Sequence, residues 1–363
     1  MAVGKCRFLY DDLVVKPATI ITPNSWKRGQ ILAPLKSGTG SAILTPEGIY
    51  SYGNDLEYTI VIDSITAGTG IGQATYKWKT SQNSGWAASG VATSSVATAL
   101  NNGVTIKWTA GGTFALNDTW YFKAINRFSG EKLRDYNRDT SYRSGDVTGT
   151  KTIVFDMMSA MSANSIIIYD HNFTSAATIT LEANATDSWG TPAFTETIPW
   201  ATLKILRYLA ATPSYRYFRL SITDSSNPDG YIEIGELFLG EYMELTRTAL
   251  PQFSQAITLA ITEGRNRYNA VRKRFHNFIN RFDGTLQFLT DADIVKLDAL
   301  VSGIADRELE TIRPIYFNLN ANDTSVFHLM EWVSYDKRLI ERSANVNYYA
   351  VSLTLSEASS NKS

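Results

Sequence analysis

Short runs rich in Val, Ile, Thr, Tyr, Phe and Trp recur along most of this chain, alternating apolar with polar positions and closing on Gly, Asn, Asp or Ser. A period of two is the signature of a half-buried antiparallel strand, so the pattern predicts a mainly β fold. An aromatic content of 12% agrees with this, because broad rings pack well on pleated surfaces. At 363 residues the chain is long for a single sandwich and divides by texture into four parts. Residues 1–57 form an N-terminal segment that includes an opening strand. Residues 58–124 form an inserted small β module, 125–245 a β-sandwich and 246–363 an α+β unit.

Within the inserted module, strands are predicted at Tyr58–Ile65, Thr75–Thr80, Val104–Thr109 and Thr119–Ala124. Asn101-Asn102-Gly103 marks a tight turn, since Asn and Gly tolerate positive φ. Ala87 to Leu100 is nearly all small residues and reads as a loop, a weak edge strand or disordered chain. The sandwich shows strands at Thr152–Asp156, Ser165–Tyr169, Ala177–Glu182, Tyr215–Thr223 and Tyr231–Leu239. In the C-terminal part, Thr290 can cap a helix whose apolar stripe is Ile294, Leu297, Val301 and Ile304, with Asp291 and Asp293 at its positive end. Strands flank it, and Asp283-Gly284 predicts a hairpin between Phe278–Phe282 and Thr285–Leu289.

Thirty-four Lys and Arg stand against 35 Asp and Glu, so no global field favours nucleic acid or an anionic membrane. One cysteine, Cys6, excludes an internal disulfide and every cysteine-rich metal site. Neither a signal peptide nor a membrane span is readable, which suits folding in a reducing cytoplasm.

Two stretches carry a family resemblance. Tyr215-Arg216-Tyr217-Phe218-Arg219-Leu220-Ser221-Ile222, a loop, and Ile232-Glu233-Ile234-Gly235-Glu236-Leu237-Phe238-Leu239-Gly240 resemble the closing strands of discoidin-like (galactose-binding-like) domains. Asp139-Thr140-Ser141-Tyr142-Arg143-Ser144-Gly145, followed by Ile153-Val154-Phe155-Asp156, is similar to the middle of the same fold. Tyr169-Asp170-His171-Asn172-Phe173 resembles discoidin-like sandwiches of bacteriophage structural proteins, and the C-terminal part resembles the β-barrel-plus-helix units of siphophage tails. The resemblance implies a discoidin-like jelly-roll β-sandwich with an inserted β module and a C-terminal α+β tail-type domain.

Chemistry-bearing residues are sparse. The histidines His171, His276 and His328 lack metal-ligand spacing, and His171 beside Asp170 has no nucleophile context and reads as a loop histidine bonding its own turn. Ser225, Asn227, Asp229, Gly230 and Glu236 fall at calcium-loop spacing, but strand-period flanks and Pro228 favour a polar hairpin in which Glu236 is carried away from Asp229. Arg265, Arg267, Arg272, Lys273 and Arg274 lie in a stretch free of acid and interleaved with aromatics, suited to a subunit contact more than to nucleic acid. Trp86 and Trp189, each beside a glycine, are the candidates for sugar contact, weighed against burial in a core.

The resemblance implies a non-enzymatic structural component of a phage tail or tail tip. Such a protein forms homo-oligomeric rings, meets other tail proteins and displays the sandwich outward on a virion assembled in the host cytoplasm. A carbohydrate-binding adhesin that contacts host-surface glycans is the second reading, and an enzyme with an unrecognised site is the third. No cofactor, membrane insertion or nucleic-acid partner is expected.

Overall fold

A computed structural model describes residues 5–16, 18–27, 29–52, 55–66, 68–137, 140–245, 252–265, 271–306, 311–342 and 347–357. The protein is mainly β, built from antiparallel sheets with a single α-helix among the described residues. It separates into two compact units: Ser25–Lys132 with Tyr142–Asp146, and the remainder.

The smaller unit is a sandwich with its own core. One sheet holds Gln30–Ile31, Thr119–Ile125, Leu56–Ile65, Ala74–Thr80 and Ala88–Ala92 in that spatial order, with Leu35–Ser37 also paired to Thr119–Ile125. The other holds Leu44–Gly48, Val104–Trp108 and Thr98–Ala99. The strands Gln30–Ile31, Leu35–Ser37 and Leu44–Gly48, which precede residue 58, therefore belong to this sandwich. Alternate residues of Ala74–Thr80 are buried, so Tyr76 and Trp78 face the core while Lys77 and Lys79 face outward. Aromatic rings fill the interior: Trp108 lies 4.7 Å from Trp120 and 4.9 Å from Phe114, and Tyr58 stacks on Phe122 at 5.0 Å. The expected turn is present, with φ of 51° at Asn102 and 76° at Gly103. Within the small-residue stretch, Ala88–Ala92 forms an edge strand.

The larger unit carries two large sheets and a short two-stranded one, Ala305–Asp306 with Thr311–Ile312. A five-stranded sheet runs Phe194–Ile198, Thr178–Asn184, Ser214–Thr223, Lys151–Ser162, Ile20–Pro23. Its inward positions, among them Ile153, Phe155, Leu181, Phe218 and Leu220, are buried. A nine-stranded sheet runs Lys204–Tyr208, Ser165–Tyr169, Glu236–Glu244, Arg7–Asp12, Ile315–Asn318, His328–Arg342, Asn347–Glu357, Val271–Leu289, Gln252–Arg265. Arg7–Asp12 is the seam, pairing Glu236–Glu244 on one side and Ile315–Asn318 on the other. Its alternation serves two cores: Phe8 joins the cluster under the helix, whereas Leu9 joins Ile167, Phe238 and Tyr316. Ser165–Tyr169 is buried on both faces, as its three consecutive isoleucines in an inner strand require, and the Ser165 hydroxyl donates to Gly240 O at 3.0 Å.

The helix spans Asp291–Ile304 and buries Ile294, Leu297, Leu300 and Ile304. Its cap is reciprocal: the Asp293 amide donates to Thr290 Oγ1 at 3.3 Å, and Asp293 Oδ2 accepts from the Thr290 hydroxyl at 2.9 Å.

Two sequence expectations fail here. Asp283-Gly284 makes no hairpin; both residues lie inside the single strand Val271–Leu289, paired with Ser254 and Phe253 on one side and Thr354 and Leu353 on the other. Two-sided pairing overrides the local turn preference, and Asp283 accepts from Arg281 at 2.9 Å and from the Thr354 hydroxyl at 2.6 Å. The run Tyr231–Leu239 is also broken, into Glu233–Ile234 and Glu236–Glu244, by Gly235. A side chain there would meet Asp170 Cβ at 2.9 Å, so glycine is required by close approach.

Candidate functional site

Trp86 is not a core residue. It is 41% exposed and closes back onto the outward side of Ala74–Thr80, where the next amide, Ala87, donates to Trp78 O at 2.8 Å. Strand alternation brings Lys77 and Lys79 to the same side. Their Nζ atoms lie 4.5 and 5.3 Å from the indole centroid, within cation–π range. The result is a surface-presented aromatic ring flanked by two cationic donors.

Trp189 is held differently. Its Nε1 donates to Asp187 at 2.6 Å, and the Arg219 guanidinium lies 4.5 Å over the ring while its Nε donates to Glu182 at 2.6 Å. The indole is a half-buried clamp on the sandwich's outer face, neither core nor open platform. Trp200, which the sequence reading passed over, is 37% exposed and donates through Nε1 to Phe173 O at 3.0 Å.

Near Phe173, His171 is buried and stacked on the phenyl ring at 4.3 Å. Its Nδ1 accepts from the Phe173 amide at 3.1 Å, and burial pushes the imidazole pKa down to about 4. Neutral and turned to its own backbone, it is a structural histidine.

The Ser225–Asp229 loop is tied to this region. Asn227 Nδ2 donates to Asn172 O at 3.0 Å, Asn172 Nδ2 donates to Asp229 at 2.9 Å, and the Asp229 amide donates to Asn227 Oδ1 at 3.1 Å. Gly230 supplies a φ of 72°. Glu236 does not join these residues. Its strand carries it into the interior, 1% exposed, against the carboxyls of Asp135 and Asp12.

Burial, then Asp135, pushes the Glu236 carboxyl well above the usual carboxylate range, and Glu236 Oε1 has no hydrogen-bond partner. Asp135 accepts from the Thr140 hydroxyl at 2.8 Å and the Asn137 amide at 3.0 Å. Next to it, Tyr136 takes a φ of 49°, a conformation non-glycine residues adopt only under constraint, and its hydroxyl donates to Asp12 at 3.3 Å. Burial raises Asp12 to about 7. Among the described residues no set of three or more His, Cys, Asp or Glu side chains is gathered as a metal site. The Glu236–Asp135 pair is instead a place where two buried acids are joined through a proton. Asp135 was missed in sequence because it lies far from Glu236 along the chain and only the fold joins them.

Of the basic stretch, Arg265, Arg272, Lys273 and Arg274 lie on a long two-stranded ribbon formed by Gln252–Arg265 and Val271–Leu289. Arg267 lies outside the described residues. A register shift between Ala260 and Ile261 interrupts the simple alternation expected there. Among the described residues no helix is long and apolar enough to cross a membrane.

No family model matches the chain, and no curated protein matches it. Solved structures resemble about a third of it. A GH29 fucosidase from Ruminococcus gnavus matches at 13% identity and TM-score 0.27, over 32% of this chain and 23% of that one. Chitosan-binding module 1 of a Paenibacillus sp. chitosanase/glucanase matches at 16% identity and TM-score 0.26, over 32% and 86%. A CBM32 module from Clostridium perfringens matches at 20% identity and TM-score 0.24, over 31% and 83%.

Proposed function

We propose that this chain is a non-catalytic carbohydrate-binding protein whose saccharide contact is Trp86 with Lys77 and Lys79. The observation that carries the reading is the half-exposed indole fixed on the outer face of a rigid sheet between two ammonium groups. An aromatic ring can cover the apolar C–H face of a pyranose, and lysines donate to hydroxyl or acidic substituents at its rim. Position on a strand-anchored turn keeps the ordering entropy of binding low. Host-surface glycan is the substrate class this arrangement suits. The test is retention on a glycan array: wild type retained and Trp86→Ala lost supports the reading, whereas equal retention of both overturns it.

A second reading, a ring-forming structural part of a phage tail displayed on the virion, is favoured by the ribbon. Gln252–Arg265 pairs with Val271–Leu289 along its length, but Asn347–Glu357 joins that second strand only from Arg281 onward. The ten residues Val271–Asn280 therefore form a two-stranded arm of about 33 Å at strand rise. Open edges of that kind are templates for another chain. Native mass followed by negative-stain imaging decides it: a ring supports this reading, and a monomer at all concentrations removes it.

A further inference from the structure

The sheet face that carries Trp86 carries a second exposed ring. Tyr121 pairs directly with Leu35 on one side and with Thr59 on the other, and Thr59 pairs with Lys79. Residues directly opposite one another in an antiparallel pair point to the same side of the sheet, so these four side chains form one row across four strands. Their in-strand neighbours Trp120, Tyr58 and Trp78 are buried, which turns the row outward. Leu35 is 76% exposed and Tyr121 41%. The Trp86 indole stands at the end of the row, its centroid 5.3 Å from Lys79 Nζ.

Neighbouring strands lie about 4.8 Å apart, so Tyr121 and Lys79 are about 10 Å apart along the row and Leu35 and Lys79 about 14 Å. Between the two aromatic rings the row drops to Thr59, a short hydroxyl side chain. The floor is flat and fixed, because each of these strands is held within a core-backed sheet.

Two features select the occupant. Thr119–Ile125, Leu56–Ile65 and Ala74–Thr80 are each hydrogen-bonded to strands on both sides, so no backbone edge is open to an added peptide strand. The row also mixes apolar and polar groups: Leu35 and Tyr121, then Thr59 and Lys79, then Trp86. A protein partner's anchors would need a continuous apolar centre. A chain of pyranose rings presents the matching alternation, with C–H faces that cover aromatic rings and substituents that accept from a hydroxyl or an ammonium.

We propose that the row from Leu35 to Trp86 is an extended cleft for the interior of a linear polysaccharide, with Trp86 holding one sugar ring and Tyr121 another further along the same chain. This rests on the Trp86 contact and adds the form of its ligand: a chain laid across the strands and bound along its length. Once Trp86 holds the first ring, the second contact is intramolecular, and the rigid sheet adds little further ordering cost.

Calorimetric titration of the whole protein with oligomers of two and of six residues, drawn from β-1,4-linked glucose, β-1,4-linked N-acetylglucosamine and hyaluronan, tests it. In a series that binds, the six-residue oligomer should bind at least tenfold tighter than the two-residue one. Tyr121→Ala should remove that difference and leave the two-residue affinity unchanged, and Leu35→Ser should narrow it. Both positions are exposed, and melting temperatures equal to wild type verify that each variant is folded. Trp86→Ala should abolish binding of both lengths. Equal affinity for the two lengths in wild type, or a difference that Tyr121→Ala leaves intact, overturns the extended cleft while the Trp86 contact stands. No binding in any series, or binding indifferent to Trp86→Ala, overturns the Trp86 contact and the cleft with it.

Discussion

Glu236 and Asp135 face each other carboxyl to carboxyl, with Glu236 only 1% exposed and its Oε1 without a donor. Two acids so placed cannot both stay ionised unless something positive lies between them. A proton supplies it: Glu236 is held well above the usual carboxylate range and shares a hydrogen bond with Asp135. Among the described residues no set of three or more His, Cys, Asp or Glu side chains is gathered as a metal site. We therefore expect the melting temperature to be the same in calcium and in chelator. A calcium-dependent rise in wild type that disappears in Glu236→Gln would mean that a cation joins the two acids.

His171 supplies a pH signature of the opposite kind. Burial lowers its folded pKa to about 4 from a free value of 6.5. Above pH 6.5 the imidazole is neutral in both states and its contribution is fully present. As pH falls from 6.5 toward 4, the unfolded chain takes up the proton first and stability is lost, to a limit of about 3 kcal/mol. Denaturant melts at pH 7 and pH 4 should show a steeper loss in wild type than in His171→Asn; identical slopes would show that the ring is not desolvated.

Strands of strict alternation and the capped helix were readable locally, because period and cap chemistry are written in neighbouring residues. Ala74–Thr80 and the helix at Asp291–Ile304 are cases in point. What local pattern could not encode is partnership. Asp283-Gly284 has turn composition, yet a strand on each side holds it extended. Arg7–Asp12 looks like an unremarkable charged terminus and is the seam of a nine-stranded sheet. Lys77 and Lys79 could be placed on one strand face from sequence, but the return of Trp86 onto that face depends on a turn whose geometry carries no strong signal. Asp135 and Glu236 meet only through the fold.

The two compact units should melt separately. Trp108 sits among Trp120, Phe114 and Tyr76 in the smaller core, and none of these contacts belongs to the larger unit. Trp108→Ala should cost about 3–5 kcal/mol in that unit alone. Calorimetry should then show one transition moved down and one unmoved; a single shared transition displaced as a whole would show that the two cores unfold together.

Replacing residues 25–132 with a short Gly/Ser linker should leave the larger unit folded. Its buried residues on the five-stranded sheet, such as Ile153, Phe155, Phe218 and Leu220, are all retained. A cooperative melt and an intact β circular dichroism spectrum are expected. A non-cooperative melt would mean that the excised unit is needed to close the larger core.

The ribbon gives the sharpest test of assembly. Its base is anchored, since Phe282, Leu286 and Leu289 are buried with Leu297, Leu353 and Leu355 in the core under the helix. Beyond Arg281 the strand Val271–Leu289 keeps only Gln252–Arg265 as a partner, so the distal ribbon contributes nothing to that core through pairing with Asn347–Glu357. Ile257 pairs directly with Asn280, and Ile257 is 64% exposed. Removing residues 258–279 and joining Ile257 to Asn280 through Asn-Gly closes the hairpin with a turn whose twist matches the flanking strands. A two-stranded ribbon without a third strand is marginal in water, so this shortening should cost the isolated chain little, within about 1 kcal/mol. If the ribbon joins copies of the chain, wild type is an oligomer by native mass and the shortened protein is a monomer of unchanged melting temperature. An oligomer that survives the deletion would place the contact elsewhere, and a wild-type monomer would leave the ribbon without a second copy to meet.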